Sequence, residues 1–180
     1  VGCAKNVAEQ IDYARQHKLS GGPKNVLVIG ASTGYGLAAR VVAGFGCGAK
    51  TLGISFEREA AKGKTASAGW YNTAAFEKEA EKAGLYTKSL NGDAFSNERK
   101  DKAIEIIKAD LCQVDLVVYS LASPRRKDPV TGYDYKSVIK PIGEVFENKT
   151  MDMHKKVISL ASVPAATDEE VTETVKVMGG

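Results

Sequence analysis

Cysteine is scarce: Cys3, Cys47 and Cys112 are scattered through 180 residues, and none belongs to a CxxC pair or a Cys/His cluster. This argues against a disulfide framework and a thiolate metal site and leaves reduced structural thiols. Long apolar runs are also missing. No stretch approaches the ~20 residues needed to cross a bilayer, so no membrane role is expected. The start lacks the basic-then-apolar build of a secretory signal, which makes a cytoplasmic home the default expectation. Charge of one sign is not in excess: 25 Lys and Arg against 22 Asp and Glu give +3. Without long basic blocks, nothing asks for nucleic acid. The two histidines, His17 and His154, have no sequence neighbours that suggest catalysis. Internal repeats and low-complexity segments are absent.

The remaining composition, 43% hydrophobic and 26% charged, is that of a soluble globular chain with enough residues for one domain. Its organising stretch is Asn25 to Gly36, NVLVIGASTGYG. Val26 to Ile29 is a short, uncharged, β-branched run that suits a strand of a parallel sheet buried on both faces. It ends in Gly30, Ala31, Ser32, Thr33, Gly34, Tyr35 and Gly36, and an apolar-periodic run follows directly, with Leu37, Val41 and Phe45 every fourth residue. Glycines there permit positive φ and remove Cβ atoms that would keep a diphosphate off the backbone. The following helix offers unpaired N–H groups to the anion. A dinucleotide is the expected guest.

Upstream, Val7, Ile11 and Ala14 at helical spacing predict an N-terminal helix within residues 1–24, stopped by Gly21-Gly22-Pro23. Downstream, Thr51 to Phe56 reads as the second strand, and Glu57 follows it 21 positions after Gly36. An acid at that strand's tip is placed to accept hydrogen bonds from the adenosine ribose hydroxyls and to repel a 2′-phosphate. Arg58 is the adjacent cation, and the balance favours NAD over NADP. A solvated strand-end acid is the plainer alternative for Glu57.

A helix over residues 73–83, a weak strand Tyr86 to Leu90 and the turn Asn91-Gly92-Asp93-Ala94 come next. Asp93 and Ala94 fall at a strand's carboxyl end, where an adenine could be bound, though Asp93 could equally cap the turn. Ser96 is expected to cap a helix to about Leu111 that buries Ile104, Ile107 and Leu111, and Asp115 to Ser120 reads as a core strand. Four successive βα units predict an α/β, Rossmann-like, doubly wound parallel sheet with its core in residues 25–127. Residues 128–166 carry alternating segments, Tyr133 to Ile139 and Val157 to Ala161, which predict a β-hairpin excursion. Thr167-Asp168-Glu169-Glu170 is a capping box that opens a terminal helix over 167–180. Arg125, Arg126 and Lys127 either form a solvated basic loop or hold the phosphates of a substrate carrier.

Together these residues resemble the NADH-dependent trans-2-enoyl-CoA reductases and the related V-type enoyl-acyl-carrier-protein reductases. The resemblance runs through PKNVLVIGASTGYGLAARVVAGFGCGA, SFE, AGWYN, GLYTKSLNGDAFS, VDLVVYSLASPRRKDPVTG, KPIGE and TVKVMGG. It implies that Gly30 to Tyr35 hold diphosphate and ribose, Phe56 and Glu57 the adenosine side, Asp93 and Ala94 the adenine, and Leu121 and Ala122 the nicotinamide end. It also implies reduction of an enoyl-CoA or enoyl-acyl-carrier-protein thioester in fatty-acid metabolism, with NADH giving hydride to the β-carbon. The resembled family continues past KVMGG, and its catalytic tyrosine, followed nine positions later by a lysine, lies in that continuation. No tyrosine here has a lysine nine residues on. The expectation is therefore a cofactor-binding piece of a longer enzyme, whose partner is the remaining C-terminal portion. A stand-alone nucleotide-binding module or one piece of a split enzyme is the alternative.

Overall fold

The computed structural model describes residues 1–177. They fall into two compact units, divided after Leu121. In the first unit, α1 (Gly2–Gln16) precedes β1 (Asn25–Ile29), α2 (Gly34–Val41), β2 (Lys50–Ser55), α3 (Ala68–Lys82), β3 (Thr87–Asn91), α4 (Asn97–Ile106) and β4 (Leu116–Tyr119). The four strands form one wholly parallel sheet in the order β3-β2-β1-β4. The expected doubly wound α/β architecture is therefore present. Because β3 lies on one side of β1 and β4 on the other, the chain reverses direction across β1. That reversal opens a crevice at the strands' carboxyl ends.

Alternation along the strands divides the core by face. Val26 and Val28 of β1 pack with Ala31, Ala43 and Ala49, whereas Leu27 and Ile29 face Leu52, Ile54, Ala103 and Leu111. Val7, Ile11 and Ala14 of α1 meet Leu37, Val41, Phe45, Phe76 and Ala80. The i, i+4, i+7 stripe read from the sequence is thus the buried one. Both α2 and α4 end in a widened π-helical turn, Val42–Gly46 and Ile107–Leu111.

Several expectations change. α3 begins at Ala68, so Gly69, Trp70, Tyr71 and Asn72 belong to its first turns instead of leading into it. Ile104 is exposed and Ala103 takes the buried position, while Ile107 and Leu111 pack in the core as expected. Among the described residues no strand pairs beyond β4, and Leu116 and Val117 are exposed on it. Phe56 lies outside β2 and is 77% exposed.

The second unit holds two antiparallel ribbons where one hairpin was expected. β5 (Arg125–Lys127) pairs with β6 (Asp134–Lys136), and β7 (Phe146–Asp152) pairs with β8 (Val157–Val163). The turn after β5 closes early because Asp128 accepts hydrogen bonds from the Val130 and Thr131 N–H groups. Tyr133–Ile139 thereby folds back on Arg125–Lys127 and not on Val157–Ala161. α5 (Asp168–Val177) opens on the expected capping box: Thr167 Oγ1 accepts from Glu170 N at 3.2 Å and Glu170 Oε2 from Thr167 N at 3.0 Å. The last residues expected in that helix, Met178 to Gly180, lie outside the described residues.

The least expected member of the core is Arg40 of α2, 1% exposed beneath the sheet. Its guanidinium donates to Thr51 Oγ1, Ser89 Oγ, Thr87 Oγ1 and the Lys88 carbonyl at 2.7–3.3 Å and lies over the Phe76 ring. Burial pushes its pKa down to about 10, with the nearby Glu77 charge opposing, so it stays cationic at neutral pH. Room for it exists only because residue 53 is glycine, where a Cβ would sit 2.5 Å from Nη1. Arg40→Met should destabilise the protein by about 3 kcal/mol in urea unfolding, because it strands several buried polar partners at once.

At the start of the sheet, Asp115 accepts hydrogen bonds from the Lys24 and Asn25 N–H groups, at 2.6 and 2.9 Å, tying β4 to β1. These bonds hold its carboxyl below the usual range. A depressed acid stabilises the fold above its unfolded pKa and loses that contribution as pH falls through the folded value. The stability gap between wild type and Asp115→Asn should therefore be open near pH ~6 and close below pH ~4, as followed by thermal unfolding.

Candidate functional site

At the end of β1 the chain turns through Gly30 with φ +88° and enters α2 at Gly34 with φ +53°. Both values favour glycine. The turn is stitched to β2 by hydrogen bonds from the Gly30 and Ala31 N–H groups to the Ile54 carbonyl, at 2.8 and 3.0 Å. A Cβ on Gly30 would overlap the Ser120 carbonyl, and one on Gly36 would overlap the Gly30 carbonyl. The glycines thus set a tight bend and bring α2 close against β1. Above them Thr33, Gly34 and Tyr35 are exposed, Tyr35 at 90%. Thr33 occupies the N-cap position of α2 and makes no side-chain capping hydrogen bond to the first N–H groups of that helix.

Glu57 points into this turn. Its Oε1 accepts from Ser32 Oγ and its Oε2 from Ser67 Oγ, each at 2.5 Å. Its backbone is held by Asn91: Glu57 N donates to Asn91 Oδ1 at 2.7 Å, and Asn91 Nδ2 donates to the Glu57 carbonyl at 2.9 Å. The tip of β2 is thereby locked to the tip of β3. A cavity of about 210 Å³ adjoins Glu57, bordered by Ser55, Trp70, Thr73, Glu77 and Asn91. The Oγ1 of Thr73, one of the bordering residues, is buried without a hydrogen-bond partner.

The structure brings Gly30, Ala31, Ser32, Thr33, Gly34, Tyr35 and Glu57 to one end of the sheet. Phe56, beside Glu57, projects into solvent. Asp93 Oδ1 accepts from the Phe95 N–H at 2.9 Å, and the Asp93 carbonyl accepts from Ser96 Oγ. That carboxylate does the turn-capping work that was the plainer alternative. Ala94 packs against the Leu52 and Ile54 cluster. Leu121 follows β4, its side chain close to Gly30, and Ala122 is the exposed first residue of the second unit. Ser67, Gly69, Asn72 and Asn91 were not read as site residues. The only signal for Gly69, Asn72 and Asn91 was the AGWYN and Asn91-Gly92-Asp93-Ala94 stretches, which local pattern alone does not interpret, and Ser67 lies in neither. Among the described residues no cluster of metal-ligating side chains occurs. No helix among them is long and apolar enough to cross a membrane.

A parallel sheet that reverses across a glycine turn, with an acid from the next strand set on that turn, defines a Rossmann-type α/β unit. Comparison with known proteins narrows the class. Residues 1–62 match the family model described as the NAD(P)H binding domain of trans-2-enoyl-CoA reductase, and residues 64–180 match that of the trans-2-enoyl-CoA reductase catalytic region. The chain belongs to the trans-2-enoyl-CoA reductase family. It is 59% identical over 180 residues to a trans-2-enoyl-CoA reductase [NADH] of Ruminiclostridium cellulolyticum, covering 100% of this chain and 46% of that protein. It is 58% identical to an enoyl-[acyl-carrier-protein] reductase [NADH] of Teredinibacter turnerae, covering 99% of this chain and 46% of the relative. Among solved structures, the Clostridium acetobutulicum trans-2-enoyl-CoA reductase in complex with NADH superposes with a TM-score of 0.91 at 48% identity, over 99% of this chain and 45% of that one. The Treponema denticola enzyme in complex with NAD gives 0.89 at 47% identity, over 98% and 46%. The chain therefore spans less than half the length of these relatives.

Gly30→Ala should lower stability by at least ~2 kcal/mol, from the positive φ and the overlap with the Ser120 carbonyl together. Gly34→Ala meets nothing within 4 Å and carries only the backbone term of about 1 kcal/mol. Chemical denaturation of the two variants checks the difference.

Proposed function

We propose that this chain is the NADH-binding part of an enoyl-thioester reductase of fatty-acid metabolism, acting on enoyl-CoA or enoyl-acyl-carrier protein. The observation that carries the reading is the Glu57 carboxylate set on Ser32 of the glycine turn. An anion-receptive helix start and a hydroxyl-receptive acid stand together there, as a dinucleotide requires.

The residues fit the cofactor. A bound dinucleotide supplies hydride to the substrate. On the protein's side, the turn from Gly30 to Tyr35 receives the diphosphate through backbone N–H groups, which glycines leave uncovered. Glu57 accepts the ribose hydroxyls, with Phe56 beside it on the adenosine side. Asp93 and Ala94 flank the adenine, and Asp93 retains a carboxylate oxygen beyond the one bonded to Phe95. Leu121 and Ala122 border the nicotinamide end. The unpaired state of Cys3, Cys47 and Cys112 is consistent with a cytoplasmic, reducing setting.

Stabilisation of the oxyanion that forms after hydride addition is assigned to the tyrosine and lysine of the C-terminal portion, the intramolecular partner of this piece. A single oxyanion donor is worth ~10²- to 10³-fold in rate. The 180-residue chain should therefore bind NADH more tightly than NADPH and yet show negligible NADH oxidation with crotonyl-CoA. Fluorescence titration and an absorbance assay check both, and tighter NADPH binding or family-like turnover would overturn the proposal.

A further inference from the structure

The first turn of α3 is built around the glycine turn and its acid, and not around its own helix. Ser67 occupies the N-cap position with extended backbone, φ −66° and ψ 158°, yet its side chain makes no capping hydrogen bond. A serine there ordinarily accepts from the N–H two or three residues on. Here the hydroxyl instead donates to Glu57 Oε2 at 2.5 Å and accepts from the Arg58 N–H at 3.1 Å. Its own N–H donates to the Arg58 carbonyl at 3.0 Å, which closes the base of the loop between Glu57 and α3.

Two further residues of the same turn complete the wall. A Cβ on Gly69 would overlap the Glu57 carboxylate and lie 2.8 Å from Ser32 Cβ, so bare helix backbone backs the acid. Asn72 Nδ2 donates to the Ser32 carbonyl at 3.0 Å and fixes the partner hydroxyl from behind. Each carboxylate oxygen of Glu57 is thus held by one hydroxyl, and its backbone by Asn91. A carboxylate has about four acceptor directions, so capacity remains for a ribose while the group's orientation is set.

We infer that Ser67 and Asn72 are positioning residues that set the preference for a dinucleotide with a free ribose 2′-hydroxyl over one with a 2′-phosphate. The inference rests on the proposed binding of dinucleotide ribose at Glu57. Charge alone is a weak discriminator, because a mobile side chain can rotate away from an incoming phosphate. A clamped one cannot. Loss of the Ser67 hydroxyl also leaves the Arg58 N–H, next to the acid, without its side-chain acceptor.

The test is titration of NADH and NADPH against the enzyme at its full natural length, in wild type, Ser67→Ala, Ser67→Thr, Asn72→Ala and Glu57→Ala. Ser67→Ala should shrink the NADPH-to-NADH ratio of dissociation constants roughly tenfold, the scale of one charge-assisted hydrogen bond. Ser67→Thr, which keeps the hydroxyl, should stay within about twofold of wild type, and Asn72→Ala should move the ratio in the same direction as Ser67→Ala. In the Glu57→Ala background, Ser67→Ala should add less than about twofold, since the effect acts through the acid. Should Ser67→Ala fail to fold, Asn72→Ala carries the same readout. An unchanged ratio, or equal weakening of both cofactors, would overturn the inference and leave the dinucleotide reading standing. Failure of wild type to bind either cofactor would overturn that reading itself.

Discussion

The close approach of three backbone segments at the end of β1 governs the rest of the first unit. Gly30 lies against the Ser120 carbonyl, and Gly36 against the Gly30 carbonyl. The intervening turn hangs from the Ile54 carbonyl by two hydrogen bonds. With no Cβ at either glycine, β1, β4 and the start of α2 meet at backbone distance. β1 then pairs with β2 on one side and β4 on the other, and the reversal of the chain falls where α2 begins. The helix N-terminus, the Ser32 hydroxyl and the tip of β2 are consequently brought to one place without long side chains having to reach for it.

Polar chemistry then fixes what backbone packing brings near. Arg40 sits on the buried face of α2 and spends its donors on Thr51, Thr87, Ser89 and the Lys88 carbonyl, so it links the helix behind the glycine turn to both β2 and β3. Asn91 continues that link at the strand tips by occupying both backbone groups of Glu57. At the opposite end of the sheet, Tyr86 donates to Asp110 at 2.5 Å and Lys88 donates to the same carboxylate at 2.6 Å. Burial and that hydrogen bond push the Tyr86 hydroxyl up. A tyrosine and lysine sharing an acid resemble a catalytic set, but they lie at the amino ends of the strands, away from the crevice where ligands of such sheets bind. Their work is to fasten the π-helical turn after α4 to β3.

Family membership accounts for the specificity of short stretches that local rules leave unexplained. In AGWYN, glycine is required because the Glu57 carboxylate occupies the space of a side chain, and asparagine because the Ser32 carbonyl needs a donor. In Asn91-Gly92-Asp93-Ala94, the asparagine completes the pairing of β2 beyond Ser55 and the aspartate caps the next turn. Asn91 and Asn72 touch residues 34 and 40 positions away in the chain. A pattern of hydropathy or turn propensity does not register such contacts.

By itself the sequence determined what depends on neighbours along the chain. The apolar stripe Val7, Ile11, Ala14, the positive-φ glycines of the turn, the Ser96 cap and the Thr167 capping box all follow from helical period, steric freedom and hydrogen bonds spanning three or four residues. The parallel α/β class follows from their order. Tertiary structure alone decided that Ala103 and not Ile104 is buried, and that Tyr133–Ile139 returns to Arg125–Lys127. It also decided that Glu57 is clamped by Ser32 and Ser67. Each of these turns on which distant segment arrives alongside, and that is set by packing and pairing across the fold.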